Sequence, residues 1–203
     1  MDACGLGGSL PQGYASIVQP IASTTVATDT KGLVAGEVTI PTMTGAVPAY
    51  RAAPEKGGKL PLMLVVQEIF GVHEHIKDVC RRLAKLGYFA ISVELYHRQG
   101  DVTKFTDNQE SFAKVVNHVP DSQAMSDLDA AVVYATSTGK ADTSRLGITG
   151  FCWGGRITWT YCVHNPRVKA GGAWYGRLVA PARAAPPPAD PGELAPHLQV
   201  PVV

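Results

Sequence analysis

The chain has 203 residues, of which 45% are hydrophobic and 17% are charged, and its formal net charge is +1. This length is sufficient for one domain with a buried core, and the composition is that of a globular protein. The nearly neutral charge provides no basic surface for nucleic acid and no acidic tail. Small molecules are therefore the expected partners.

The four cysteines are Cys4, Cys80, Cys152 and Cys162. They predict reduced thiols, because they show no C-x-x-C spacing and are too few for a disulfide framework. No spacing of histidine and cysteine matches a metal site. No apolar run reaches the ~20 residues that a membrane helix needs, and residues 1–13 lack the features of a secretion signal. We therefore predict no metal, no membrane association and a cytoplasmic location.

The N-terminal residues show little pattern. Residues 1–32 are rich in Gly, Ser, Thr and Ala without a hydrophobic period, and we predict that they form a flexible arm. Residues 36–41 and 46–52 are short extended runs on either side of Thr44 and Gly45. They predict a hairpin at the edge of a sheet.

From residue 60 onward, apolar runs that predict buried strands alternate with runs that predict helices. The predicted strands are residues 60–68, 88–95, 145–151 and 168–176. The predicted helices are residues 73–87, 107–118, 122–137 and 154–164. This alternation is typical of an α/β protein with a mostly parallel sheet and helices on both faces.

The composition changes towards the C-terminus. Residues 180–197 contain six prolines and are predicted to lack regular structure. Residues 198–203, LQVPVV, have the pattern of the first half of another strand. Because a domain does not normally stop inside a central strand, we expect residues 33–203 to form an incomplete domain, as in a fragment, an early stop or a frameshifted product.

The motif GFCWGG follows a predicted buried strand and begins a predicted helix, as in a nucleophile elbow. Gly150 and Gly154 lie two residues before and after Cys152, where a side chain would crowd the tight turn. The turn would place the sulfur at a helix N-terminus, where we expect the helix dipole to lower the pKa of the thiol. The backbone N–H of Trp153 would then point toward a developing oxyanion.

Two alternatives to the elbow stay open on these residues alone. Cys152 could be a small buried residue in a tight turn. Residues 149–156, TGFCWGGR, also approximate the phosphate loop T-G-x-x-x-G-x-G of dinucleotide-binding dehydrogenases. The context disfavours this second alternative, because three buried strands precede the loop and no Tyr-x-x-x-Lys follows it.

A second candidate segment is VVQEIFGVHEHI, residues 65–76. Glu68 and Ile69 follow a buried strand at the sheet edge where ligands bind in open α/β folds. A carboxylate at this position needs a partner. The alternative is that Glu68 caps the following helix.

Three motifs together resemble the dienelactone hydrolase family of the α/β-hydrolase superfamily. They are QEIFG at the end of one strand, LYHRQGD after the next strand, and GFCWGG further along. The resemblance extends from Gly36 to Gly176, with LQVPVV as a last matching piece. It implies an α/β-hydrolase fold and cysteine-dependent hydrolysis of a small carboxylic ester or lactone without a cofactor.

The resemblance also implies roles for individual residues. Cys152 matches the nucleophile, and Glu68 matches the carboxylate that holds the resting thiol away from the catalytic triad. The backbone N–H groups of Ile69 and Trp153 match the oxyanion hole.

Two further positions match residues near the substrate. Arg98 matches an arginine at the mouth of the site, with a structural role as the alternative, and Tyr175 matches a residue near the pocket. The family's arginine for the substrate carboxylate is expected within residues 107–118, which contain none. This absence argues against dienelactone itself as the substrate.

A cysteine hydrolase of this type also requires a carboxylate and a histidine, which follow the nucleophile in the chain. The family's positions for both lie beyond Val203. We interpret His73, His75, His164 and His197 as surface or capping residues. We therefore expect impaired turnover, and the alternatives are a catalytically inactive ligand-binding protein or a non-functional fragment of the same fold.

Overall fold

The computed structural model describes residues 27–179 and 190–203. The strands are β1 (Leu33–Thr42), β2 (Gly45–Pro54), β3 (Leu60–Val66), β4 (Phe89–Val93), β5 (Ala141–Phe151) and β6 (Val168–Trp174). The α-helices are α1 (Glu74–Lys85), α2 (Asn108–Lys114), α3 (Asp121–Ser137), α4 (Trp153–His164) and α5 (Pro191–Leu194). Short 3₁₀ helices span Val102–Lys104, Val116–His118 and Ala195–His197.

The six strands form one sheet in the order β1-β2-β4-β3-β5-β6. Strands β1 and β2 form an antiparallel hairpin at the edge, and β2 is antiparallel to β4. Strand β3 is parallel to both β4 and β5, and β5 is parallel to β6. The predicted hairpin and the predicted mostly parallel sheet are therefore confirmed.

The sheet has a hydrophobic core on each face. Successive residues of a strand point to opposite faces, so alternate apolar side chains pack into different cores. Leu64 of β3 belongs to one cluster with Leu128 of α3 and Ile157 of α4. The next residue, Val65, belongs to the other cluster with Ile76 of α1. Helices therefore cover both faces of the sheet, as predicted.

The end of α1 directs the chain into β4. Gly87, with φ +94°, donates its N–H to the carbonyl of Ala84 at 3.0 Å, and Tyr88 donates to Leu83 at 3.1 Å. This is the Schellman arrangement that a glycine after a helix permits.

The proline-rich segment differs in part from the prediction. Residues 180–189 lie outside the described part of the chain. Pro191 begins the short helix α5 after Asp190, whose side chain forms a capping box with Glu193. The prediction of no regular structure was wrong for residues 191–197, because a proline at the first helical position loses no hydrogen bond.

The last residues run alongside β6. The N–H of Gly171 donates to the carbonyl of Pro201 at 3.0 Å, and the N–H of Val203 donates to the carbonyl of Gly171 at 3.0 Å. Gly171 and Val202 form a parallel bridge. The predicted strand character of residues 198–203 is confirmed only in part, because residues 201–203 pair with β6 around this one bridge, whereas residues 198–200 do not.

The predicted N-terminal arm is described only from residue 27. The N–H of Thr28 donates to Oδ1 of Asp78 at 2.5 Å, and Nζ of Lys85 lies 2.6 Å from Oδ1 of Asp29. Residues 27–32 therefore contact α1, and the flexibility of residues 1–26 stays a prediction. In the two described ranges, no helix combines the length and the apolarity needed to cross a bilayer.

Candidate active site

The turn between β5 and α4 is sterically compressed. Cys152 occupies it with φ +56° and ψ −118°, a conformation that residues other than glycine rarely adopt. A Cβ at Gly150 would lie 2.3 Å from the carbonyl oxygen of Gly154, and a Cβ at Gly154 would lie 2.4 Å from the carbonyl oxygen of Gln67. Only glycine is accommodated at these two positions, because α4 lies so close to the ends of β5 and β3.

The thiol of Cys152 is half-buried, and its pKa is raised. Burial raises the pKa, the backbone N–H of Trp153 lowers it by hydrogen bonding, and the negative charge of Glu68 raises it. The prediction of a lowered thiol pKa was wrong, since the loss of solvent and the carboxylate outweigh the helix N-terminus. The resting sulfur is therefore a protonated thiol at neutral pH.

The carboxylate of Glu68 lies at the end of β3, with only 2% of its side chain exposed. Its Oε1 accepts a hydrogen bond from the hydroxyl of Tyr175 at 2.7 Å, and its Oε2 lies 3.0 Å from Nε2 of His73. Burial raises the pKa of Glu68, but the hydrogen bonds from His73 and Tyr175 lower it, and its net pKa lies below the ordinary value. Glu68 is thus a buried carboxylate that remains charged at neutral pH.

The alternative role of Glu68 as a helix cap is not what the structure shows. His73 is the N-cap residue of α1, and no side chain accepts a hydrogen bond there. Both oxygens of Glu68 are instead directed to the side chains of Tyr175 and His73.

The loop between β3 and α1 is held by a second carboxylate. Oε2 of Glu94 accepts the N–H of Val72 at 2.8 Å. Gly71, with φ +75°, lies against this group, since a Cβ there would be 2.8 Å from Oε2. Burial raises the pKa of Glu94, although the hydrogen bond from Val72 lowers it. The loop that contains Ile69 is therefore fixed to the end of β4.

A cavity of about 490 Å³ opens beside the elbow. Ile69, Cys152, Trp153 and Tyr175 line it. The topology brings these residues together, because β3, β5 and β6 are parallel neighbours whose carboxyl ends lie at one edge of the sheet. This is the edge where open α/β sheets bind their ligands.

The family model described as "Dienelactone hydrolase family" matches residues 47–203. The chain belongs to the dienelactone hydrolase family. A carboxymethylenebutenolidase-type relative from Methylorubrum extorquens is 64% identical over 196 residues, which are 96% of this chain and 67% of the relative. A relative of the same type from Escherichia coli (strain K12) is 48% identical over 192 residues, which are 94% of this chain and 70% of the relative.

A solved structure is similar as well. The crystal structure of a dienelactone hydrolase-type protein from Klebsiella pneumoniae superimposes with a TM-score of 0.79 and 50% sequence identity. It matches over 84% of this chain and 70% of that protein. Both the sequence relatives and this neighbour support a dienelactone hydrolase fold with an α/β-hydrolase sheet.

Arg98 does not line the cavity of this dienelactone hydrolase-family protein. Its Nη1 lies 2.7 Å from Oδ2 of Asp127 and its Nη2 lies 3.0 Å from Oδ1, while Nη2 also donates to Oγ1 of Thr42 at 2.8 Å. Asp127 is 1% exposed. The geometry favours the structural alternative, since the guanidinium is engaged by a buried carboxylate on α3.

The cavity also contains residues that sequence analysis missed. Phe112 enters it from α2, His118 from the 3₁₀ helix that follows α2, and Arg177 from the loop after β6. The guanidinium of Arg156 lies there too, paired with both oxygens of Asp121 at 2.8 and 2.6 Å. No local motif identifies these residues, because tertiary packing alone brings them to the elbow.

The histidines of the described ranges are not paired with the thiol. No hydrogen bond joins a histidine of residues 27–179 or 190–203 to the sulfur of Cys152. Nε2 of His164 lies 2.7 Å from Oδ2 of Asp129, at the far end of α4, and His73 is directed to Glu68. His118 is the histidine that the described cavity lining contains.

Proposed function

We propose that this chain acts on carboxylic esters or lactones with Cys152 as the nucleophile. The observation that carries the proposal is the strained turn at Cys152, which presents a thiol to a cavity at the carboxyl edge of the sheet. Strained non-glycine residues of this kind cluster at active sites. The relatives that are named as carboxymethylenebutenolidases support the same reaction class.

The first half of the reaction is acylation of the sulfur. The Cys152 thiolate forms a bond to the carbonyl carbon of the ester, and the electron pair of the C=O bond moves onto the oxygen. The N–H groups of Ile69 and Trp153 donate to this oxyanion. The C=O bond then re-forms, the bond to the alcohol oxygen breaks, and the alcohol leaves with the proton that the thiol gave up on becoming the thiolate.

The second half is hydrolysis of the thioester by water. The water oxygen forms a bond to the acyl carbon, the carbon–sulfur bond breaks, and the acid leaves while the thiol regains a proton. This step requires a base. We propose that turnover by this chain is slow at this step, because no histidine of the described residues forms a hydrogen bond with Cys152.

Glu68 has a proposed role in the resting state. Its charge raises the pKa of Cys152 and therefore keeps the thiol protonated until a substrate occupies the cavity. The hydrogen bonds from Tyr175 and His73 keep this carboxylate charged, since both donate to the ionised form.

The experiment is a burst assay with p-nitrophenyl acetate on the purified chain in a Cys4→Ser background. We expect release of about one equivalent of p-nitrophenolate per chain, then much slower turnover, and one acetyl group at Cys152 by mass spectrometry. Cys152→Ala should abolish the burst, while Cys162→Ala, which alters a buried cysteine, should retain it.

Three results would count against parts of the proposal. A burst that persists in Cys152→Ala would exclude Cys152 as the nucleophile. Rapid steady turnover without a burst would contradict slow thioester hydrolysis. Binding of an ester without release of the alcohol would favour a catalytically inactive ligand-binding protein.

A further inference from the structure

Tyr96 is a fully buried tyrosine just after β4, with 0% of its surface exposed. Its hydroxyl donates a hydrogen bond to the backbone carbonyl of Glu68 at 3.1 Å. The N–H of Gly71 approaches the same carbonyl at 3.4 Å. The hydroxyl of Tyr96 is therefore the closer of two donors to this carbonyl.

The carbonyl of Glu68 and the N–H of Ile69 belong to one peptide group. A trans peptide is planar, so its C=O and N–H point in opposite directions, and no peptide bond of the described residues is cis. A hydrogen bond that fixes the carbonyl therefore fixes the direction of the Ile69 N–H. The same bond polarises the amide and strengthens its N–H as a donor.

The ring of Tyr96 makes a second contact with the site. It packs edge-to-face against the indole of Trp153, with ring centroids 5.0 Å apart and an interplanar angle of 62°. Trp153 provides the other proposed oxyanion donor. One side chain thus contacts both residues whose N–H groups would stabilise the oxyanion.

We propose that Tyr96 is a positioning residue that orients the peptide between Glu68 and Ile69 for oxyanion stabilisation. This inference rests on the proposed function. Tyr96 acts through Ile69 and Trp153, because those two residues line the described cavity and Tyr96 does not. Burial also raises the pKa of Tyr96 well above its ordinary value, so the hydroxyl remains a donor at alkaline pH.

The test compares two reactions of the Cys152 thiol in the Cys4→Ser chain. Acylation by p-nitrophenyl acetate builds an oxyanion, whereas alkylation by iodoacetamide displaces iodide at a tetrahedral carbon and builds none. Both rates are proportional to the fraction of Cys152 that is present as thiolate, so this fraction drops out of their ratio. The ratio therefore reports how strongly the site stabilises the oxyanion. We expect Tyr96→Phe to lower this ratio about tenfold, less than the loss of an oxyanion donor itself, with alkylation unchanged.

The matched control is Tyr161→Phe. Tyr161 is also 0% exposed, and its hydroxyl donates to Oδ1 of Asp129 at 2.8 Å, at the far end of α4. The hydroxyl of Tyr161 also accepts a hydrogen bond from Nδ2 of Asn165 at 2.9 Å. This variant therefore loses one buried hydroxyl with both of its hydrogen bonds, and the rate ratio should stay at the wild-type value.

The outcomes separate the inference from the proposed function. An unchanged ratio in folded Tyr96→Phe, or an equal loss in both reactions, would overturn the positioning role. A wild-type chain that is alkylated at Cys152 but never acylated would overturn the proposed function itself. If Tyr96→Phe does not fold, Glu94→Ala releases Val72 in the same loop, and an unchanged ratio there would overturn the inference.

Discussion

The hydroxyl of Tyr175 donates a hydrogen bond of 2.7 Å to Oε1 of Glu68, which is 107 residues earlier in the chain. Tyr175 has φ +42° and is half-exposed, whereas the carboxylate that it contacts is buried. The strained backbone of Tyr175 is compatible with a stable fold because its hydroxyl satisfies a buried charge. This bond joins the end of β3 to the loop after β6 across the candidate site.

Tyr175→Phe should therefore destabilise the protein at neutral pH. A hydrogen bond to a charged group contributes about 1.5–3 kcal/mol, and we expect a loss near the lower figure because the ring is half-exposed. Urea unfolding at pH 7 measures the free energy of unfolding. Tyr88→Phe is the control, since the hydroxyl of Tyr88 makes no hydrogen bond with the described residues, and its stability should match the wild type.

The loss of stability in Tyr175→Phe should depend on pH, and the direction of this dependence follows from the pKa of Glu68. The pKa of Glu68 in the folded protein lies below its ordinary value of 4.5, so its ionised form stabilises the fold above that pH. This contribution is lost as the pH falls through the folded pKa. The stability difference between the wild type and Tyr175→Phe should therefore narrow below about pH 4, and a constant difference down to pH 3 would contradict the assignment.

Removal of the Glu68 charge should activate the thiol. Glu68→Gln preserves the size of the side chain and removes the charge that raises the pKa of Cys152. A lower pKa gives a larger thiolate fraction at pH 7, and the thiolate is the reacting form. In the Cys4→Ser background, iodoacetamide should alkylate Cys152 several-fold faster, and the midpoint of the pH–rate profile should move to lower pH.

The control for this variant is Glu55→Gln, which neutralises an exposed carboxylate and should leave the rate unchanged. Cys80 and Cys162 are buried and should stay unmodified in the folded chain. A slower or unaltered reaction of Cys152 in Glu68→Gln would show that the charge does not control the thiol.

The elbow could be predicted from sequence because it depends on local geometry. Gly150, Cys152 and Gly154 lie within one turn, and the apolar run before them and the helix after them are visible in the sequence. The direction of the pKa shift of Cys152 could not be predicted in the same way. It depends on how much solvent the packed structure removes and on Glu68, which reaches the thiol from a neighbouring strand.

Side-chain contacts between residues that are far apart in the chain could not be predicted either. Arg98 lies in a motif of the family, but its partner Asp127 lies on α3, and only the packing of α3 against the sheet joins them. The arginines in the described lining of the cavity are Arg156 and Arg177, whereas the family resemblance implied an arginine within residues 107–118, which contain none. A single sequence specifies periodicity and local turns, whereas these contacts depend on sheet order.

Gly154→Ala should prevent the close approach of α4 to β3. The new methyl group would lie 2.4 Å from a backbone oxygen of Gln67 and 2.7 Å from one of Val66, and a backbone atom cannot move away as a flexible side chain can. We expect a loss of about 3 kcal/mol or more in the free energy of unfolding. Gly58→Ala is the control, since no atom lies within 4 Å of its methyl position, and its stability should change by less than about 0.5 kcal/mol. Equal stability of the two variants would refute the steric account of the elbow.

Arg98→Met tests whether the arginine is structural or contacts substrate. The substitution leaves the carboxylate of Asp127, 1% exposed, without its bidentate partner, and an unpaired buried charge costs about 3–5 kcal/mol. The double variant Arg98→Met with Asp127→Leu removes both charges and should recover most of that loss. In both variants, the ratio of acylation to alkylation at Cys152 should equal the wild-type ratio, because the guanidinium does not line the cavity. A selective loss of acylation in the stable double variant would instead place Arg98 at the substrate.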